Sequence, residues 1–252
     1  MKIKNIFTSL IVLIAFFAFW EFAASRELID TQFVPAFSTV IRESRELLGD
    51  HMLFVHIASS LGRLFAGLGL GLITGLPLGF LLSGWRPRFT AFVKPLMTNL
   101  SLVNPFALIP VFITILGIGE ISKIGIIYWV LVWPVIFATA AGISAIDPAI
   151  INVARSMGAR SLKVFFDIII PSTLSYVFTG FKTSLTLGFL VLLSAEMVGA
   201  ETGLGWLVFN SQKNYNIPRL YVGILLVALI GFMISMIIDK LQKSIIIWNP
   251  KT

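Results

Sequence analysis

The sequence contains no cysteine and only two histidines, His51 and His56. The first absence excludes disulfides, thiolate metal sites and cysteine nucleophiles. The histidines have no neighbouring ligand pattern, so no metal is expected on this chain. No Gly-x-Ser-x-Gly stretch occurs, and no nucleophile stands beside an activating base, which argues against an enzyme. A Walker-type Gly-Lys-Ser/Thr phosphate loop is also missing, so the chain is not expected to hydrolyse ATP itself. Charge is scarce too: 12% of the 252 residues are charged, against about 25% in a typical soluble domain. That is too little polar surface to cover a globule in water.

Apolar residues take the vacated share. They make up 57% of the chain, and the mean hydropathy is +0.95. They fall in runs at approximately Ile6–Ala24, Leu64–Ser83, Pro95–Leu116, Ile124–Ile143, Leu174–Ala200 and Ile217–Ile238. Most reach the ~20 residues that a helix needs to cross a bilayer. The expected fold class is all-α integral membrane, with about six spans solvated by lipid. No repeat, low-complexity tract or linker divides the chain, so residues 1–252 are expected to form a single transmembrane domain. The net charge of +7 comes without a basic cluster interleaved with aromatics. Nucleic acid is therefore not an expected partner, and loop Lys and Arg explain the charge.

Glu21 interrupts the first run. Lys2, Lys4, an apolar stretch and Ala23-Ala24-Ser25 also fit a cleaved secretory signal, so retention and cleavage both stand as readings of this segment. Orientation follows from Lys and Arg. One set of connections holds eleven: Lys2, Lys4, Arg86, Arg88, Lys94, Arg155, Arg160, Lys163, Lys240, Lys243 and Lys251. The other holds seven: Arg26, Arg42, Arg45, Arg63, Lys123, Lys213 and Arg219. The richer side is expected to be cytoplasmic, with both termini inside. Arg26 to Val55 is then the largest external piece.

The most informative stretch is the cytoplasmic loop from Asp147 to Pro171. Asp147 can cap a helix that opens with Pro148 at its first position. That helix is expected to reach Met157 and stop at Gly158, a residue suited to the left-handed C′ position. Ser161 is expected to cap a second short helix through Asp167, before Pro171 opens the next span. A loop built as helix–Gly–helix has the shape of a docking knob.

Its residues read Asn152-Val153-Ala154, three residues, Gly158, nine residues, then Ile168, Ile169 and Ile170-Pro171. This resembles the loop motif of binding-protein-dependent ABC importer permeases: Glu-Ala-Ala, three residues, Gly, nine residues, Ile, one residue, Leu-Pro. Ala154, Gly158, Ile168 and Pro171 match, while Asn152 replaces the Glu and Ile170 the Leu. Ser60-Leu61-Gly62-Arg63, Gly75-Leu76-Pro77-Leu78-Gly79, Gly117-Ile118-Gly119-Glu120, Ala195-Glu196-Met197 and Gly203-Leu204-Gly205 resemble the nitrate, sulfonate/taurine and bicarbonate branch. Asn104-Pro105 stands where that branch often has a proline pair.

The resemblance implies a six-helix permease domain of the type I importer kind in a bacterial inner membrane. It implies cytoplasmic ABC ATPase subunits carrying ATP and Mg, an extracytoplasmic solute-binding protein, and a second permease copy as a homodimer. No cofactor is expected on this chain. The solute would be a small anion of the nitrate, sulfonate or bicarbonate type, or a vitamin-like heterocycle. The resemblance also assigns ATPase coupling to the loop, at Asn152, Ala154, Arg155, Gly158, Ala159 and Arg160. The arginines could make charge-assisted bonds to the ATPase or anchor the loop at anionic lipid.

Three further patterns stand out. Gly67, Gly71, Gly75 and Gly79 recur every four residues and mark a helix-contact face, and Pro77 could kink that span. In the fifth span Ser175, Thr179, Lys182, Thr186 and Glu196 share about 100° of arc. This stripe fits a solute pathway, or else Lys182 and Glu196 reach opposite interfaces. In the third span Asn99, Ser101 and Asn104 lie near Pro105 and Pro110, where broken hydrogen bonding favours a lining or hinge role. A secondary transporter is the rival reading, because such proteins also use broken helices and intramembrane charges.

Overall fold

A computed structural model describes residues 2–83 and 87–245, the side chains of 2–10, 13, 87–89, 243 and 245 excepted. Among the described residues every regular element is helical. In order these are α1 (Lys2–Ser25), α2 (Phe37–Gly49), α3 (Met52–Leu82), α4 (Pro87–Ser101), α5 (Pro105–Leu116), α6 (Glu120–Ser144), α7 (Pro148–Ser156), α8 (Ser161–Val164), α9 (Ile170–Met197), α10 (Leu204–Lys213) and α11 (Ile217–Ile245). Arg86 and Lys251 of the orientation count lie outside the described residues, and so do the side chains of Lys2, Lys4, Arg88 and Lys243.

Among the described residues four helices are long and apolar enough to cross a membrane: α3, α6, α11 and the run Ser161–Met197 that contains α9. The third expected span is not one straight rod. Thr90–Ser101 and Pro105–Leu116 meet at 93°, and this bent pair brings the crossings to at most five among the described residues. Pro105 causes the break and Pro110 does not, since Pro110 lies inside α5. In α1 the described apolar part is Ile14–Ser25. Glu21 does not interrupt that helix. Its carboxylate accepts the Ser38 N–H at 3.0 Å and the Ser38 hydroxyl at 2.8 Å, holding the start of α2.

The centre is α6, flanked by α3 and α9. Gly67, Gly71, Gly75 and Gly79 of α3 lie against Ile127, Leu131, Val135 and Thr139 of α6. Without a hydrophobic drive between helices in lipid, such close approach supplies the contact. Pro77 sits within α3, which continues to Leu82. From the other side, Ser184 of α9 donates to the Leu131 carbonyl at 2.8 Å. Leu64, Leu68, Ile127, Leu131, Leu185 and Leu192 close the core between the three helices. Outward-facing Ile73, Phe92, Ile115 and Phe232 stay more than 60% exposed, which suits hydrocarbon rather than water.

The fifth span also departs from expectation. Helix begins at Ser161, passes through a π-helical turn at Phe165–Ile169 and continues without a stop to Met197. Pro171 therefore does not open the span. It follows a wider turn, where a residue without an N–H is readily accommodated.

Candidate functional site

Two regions at opposite ends of the α3–α6–α9 core carry the functional geometry. The first is the loop from Asp147. The Asp147 carboxylate accepts the Ala149 N–H at 2.8 Å, and Pro148 occupies the first turn of α7. At the far end the Ala159 N–H donates to the Ala154 carbonyl at 3.0 Å and the Gly158 N–H to the Arg155 carbonyl at 2.9 Å. These two bonds form a Schellman closure, and Gly158 supplies the positive φ of +84° that it requires. The motif positions Ala154, Gly158 and Ala159 thus fix how α7 ends. Ser161 is not the cap of α8, because Arg160 holds that position and Ser161 is the first helical residue.

Helix α7 buries none of its residues. Asn152, Arg155 and Arg160 are exposed beside Ile150, Val153 and Met157, which are 52%, 59% and 83% exposed. An amphipathic helix with an unpartnered apolar row is the physical mark of an interaction surface.

The second region is a buried polar knot that sequence reasoning missed. Arg63 of α3 is 3% exposed and Glu196 of α9 is 0% exposed. Arg63 Nη1 donates to Glu196 Oε1 at 2.6 Å and to the Thr202 carbonyl at 2.7 Å. Its Nε and Nη2 fork onto Glu120 at 2.6 and 2.8 Å, and Lys123 Nζ reaches the same carboxylate at 3.2 Å. The start of α10 is bound into the knot. Its free N–H groups at Gly203, Leu204 and Gly205 donate to His56 Nδ1, Ser60 Oγ and Glu196 Oε2, at 3.1, 2.8 and 2.9 Å. Helix N-termini leave such donors unsatisfied, and a carboxylate also complements the helix dipole.

The knot corrects two expectations. Glu196 belongs neither to an open pathway stripe nor to an interface, since the packed side of α9 holds it. Arg63 and Lys123 are buried partners of carboxylates rather than free loop charges. The signal was present as the segments 60–63, 117–120, 195–197 and 203–205, all four of which contribute to this one cluster.

The rest of the stripe separates from Glu196. Thr179 and Thr186 are exposed, and so is Thr183, which sequence reasoning passed over. Their hydroxyls donate to the carbonyls four residues earlier at 3.0 Å, which lets them sit within an apolar helix. Lys182 lies at the edge of this face and pairs with Asp239 of α11, both side chains being close to half exposed. A cavity of about 270 Å³ beside the pair is bounded by Thr186, Phe189, Gly231 and Ser235.

At the α4–α5 break, Asn104 Oδ1 accepts the Phe106 N–H at 2.9 Å, so Asn104-Pro105 repeats the opening of α7. Asn99 is exposed, and half-buried Ser101 donates to the Thr98 carbonyl at 2.7 Å. Ser101 and Pro105 also face a cavity of about 350 Å³ that reaches Trp129 and Trp133 of α6 and Leu190 of α9.

A family model described as binding-protein-dependent transport system inner membrane component matches residues 67–247. The nitrate import permease protein NrtB of Leptolyngbya laminosa is 31% identical over 260 residues, covering 95% of this chain and 91% of that protein. The taurine transport system permease protein TauC of Escherichia coli strain K12 is 29% identical over 235 residues, covering 91% of this chain and 85% of that one. Among solved structures, an inward-facing conformation of the MetNI methionine ABC transporter superposes with a TM-score of 0.68 at 19% identity. It covers 77% of this chain and 96% of that chain.

Proposed function

Because the chain belongs to the family of binding-protein-dependent transport system inner membrane components, and is thus the permease subunit of an ABC importer, we propose that α7 is the element through which a separate ATPase drives it. The carrying observation is the α7 surface, with Ile150, Val153 and Met157 exposed around a rigidly closed helix end. In this reading Asn152, Arg155 and Arg160 contact the ATPase, while Ala154, Gly158 and Ala159 hold the helix in shape. ATP and Mg belong to the ATPase subunits. The loop end of the core is then cytoplasmic, as are both termini, and the knot end meets an external solute-binding protein. Two copies form the path, each a single permease unit over 1–252 whose first segment is retained. The seat of Trp20 on Phe37 and Tyr221 supports retention.

The solute is small. Kinship to the nitrate and taurine permeases favours a small anion, and half-exposed Lys182 beside Thr186 supports that class. A vitamin-like heterocycle is the second class, favoured by Trp129 and Trp133 in a cavity that no charged side chain lines among the described residues. Co-purification with the ATPase tests the coupling reading. Val153→Asp places a charge in the exposed apolar row without touching the core. It should leave the permease inserted and abolish ATPase recovery; unchanged recovery would refute the assignment of α7.

A further inference from the structure

Helix α10 closes as α7 does, with one difference. The Tyr215 N–H donates to the Gln212 carbonyl at 3.1 Å and the Asn216 N–H to the Ser211 carbonyl at 2.9 Å, the same pair of bonds that ends α7. Such a closure needs a residue with positive φ, and glycine is its usual source. Here the position belongs to Tyr215, at a φ of +54°. A bulky side chain in this region is strained. Strain of that kind gathers at functional sites, where something else over-determines it. Packing within the chain does not, because Tyr215 is 86% exposed. Glu27 ends α1 with the same two bonds and a φ of +55°. A carboxylate in water is solvated in return, whereas an exposed aromatic ring is not.

The tyrosine also stands at an outlying point. The first N–H groups of α10 are held in the knot, and from there the helix runs 10 residues, ~15 Å, to its end. It lies beside α11, with Val208 against Gly223, so the turn at 214–216 tops the pair. Helix α11 has 29 residues, ~43 Å against ~30 Å of hydrocarbon, which is long enough for its first turn to stand outside the bilayer core. Gln212, Lys213 and Asn214 beside the tyrosine are all exposed. Tyrosine is common at membrane interfaces, but an interfacial ring needs no left-handed backbone. A tip with three exposed polar neighbours suits a protein arriving through water better than lipid. An aromatic anchor within a polar rim is the anatomy of a binding hot spot.

Resting on the permease reading, we propose that Tyr215 is the anchor by which the external solute-binding protein seats on this chain. Its ring fills a pocket on that protein, and Lys213 and Asn214 supply the polar rim, with Lys213 opposite a carboxylate. The left-handed turn fixes the ring at the tip before the partner arrives, so less freedom is lost on binding.

Biolayer interferometry with this importer's solute-binding protein, on the permease–ATPase complex in nanodiscs, tests the anchor alongside thermal unfolding of the same complex. Tyr215→Gly removes ring and strain together. It should raise the melting temperature by about 2–4 °C and yet weaken binding about tenfold or more. Tyr215→Asn, which also tolerates positive φ, should weaken binding alike. Tyr215→Phe keeps the ring and should bind within about threefold of wild type. Binding that survives both Tyr215→Gly and Tyr215→Asn overturns this assignment alone. A lower melting temperature in both, or failure of both to assemble, overturns it as well, since the ring would then be repaid within the chain or by lipid. A wild-type complex that recruits no ATPase, or binds no solute-binding protein, overturns the permease reading beneath it.

Discussion

Arg63 and Glu196, 133 positions apart in sequence, meet at 2.6 Å in the interior where α3, α9 and the start of α10 converge. Glu120 takes the other edge of the same guanidinium, so one buried cation is shared between two carboxylates. Fork geometry of this kind adds direction to charge, which a lysine could not reproduce. The arrangement ties the start of α6, the end of α9 and the segment leading into α10 to a single side chain of α3.

The first prediction concerns that tie. Removing one member of a buried ion pair leaves an uncompensated charge and typically costs about 3–5 kcal/mol. Glu196→Gln keeps volume but loses the charge that faces Arg63, and should sharply lower the thermal stability of the purified permease. Glu196→Gln combined with Arg63→Met should recover part of the loss, because neither charge then stays buried alone. A double variant whose loss equals the sum of the single losses would show that the two residues are not coupled.

How much of this was readable depends on how local each signal is. Asp147-Pro148 and Gly158 act within a few residues, so the helix and its stop were legible from sequence alone. The Asn104-Pro105 opening uses the same chemistry and could have been read the same way. The knot could not, because its parts come from four segments and only the fold brings them together. Its isolated charges near the ends of apolar runs were the available hint. Glu196 shows the limit of helical-wheel reasoning: it lies at the margin of the Thr179–Thr186 arc, and the cap of α10 decides which side receives it. The π-helical turn before Pro171 was also invisible, since spacing alone does not distinguish a helix start from a widened turn.

The second prediction tests the α7 closure. At a φ of +84° a β-branched residue is strained, by about 1–3 kcal/mol for a non-glycine residue in a sparsely populated region. A Cβ at Gly158 would meet open space, so any defect reports backbone strain and not a clash. Gly158→Val should insert normally and yet lower ATPase association, with Gly158→Ala intermediate. Association at the wild-type level in a stably expressed Gly158→Val permease would show that the closure is not needed for docking.

Orientation gives the third prediction. The native chain has no cysteine, so single introduced cysteines report without background. A cysteine at exposed Ser161 should be protected from an impermeant thiol reagent in intact cells, and one at exposed Arg42 of α2 should be labelled. Labelling at position 161 from outside would reverse the topology and remove the cytoplasmic docking of α7.

The fourth prediction follows the exposed threonines of α9. If that face lines a water-accessible path between two permease copies, cysteines at Thr179, Thr183 and Thr186 should react with a small hydrophilic thiol reagent in the assembled transporter. A cysteine at Ser184 should stay inert, because that side chain is buried against α6 with its hydroxyl on the Leu131 carbonyl. Leu187 and Leu190 would not serve as inert controls, because both face the cavity beside Trp129 and Trp133. Reactivity along the threonine face should change when nucleotide closes the ATPase pair, since a state that binds nucleotide better becomes the populated one. Asp239→Asn removes the charge that faces Lys182 at nearly constant side-chain size. It should therefore alter transport more than insertion if the pair borders the path. Threonine positions that never react in any nucleotide state would turn this face toward lipid, and the route would then have to run along the α4–α5 break.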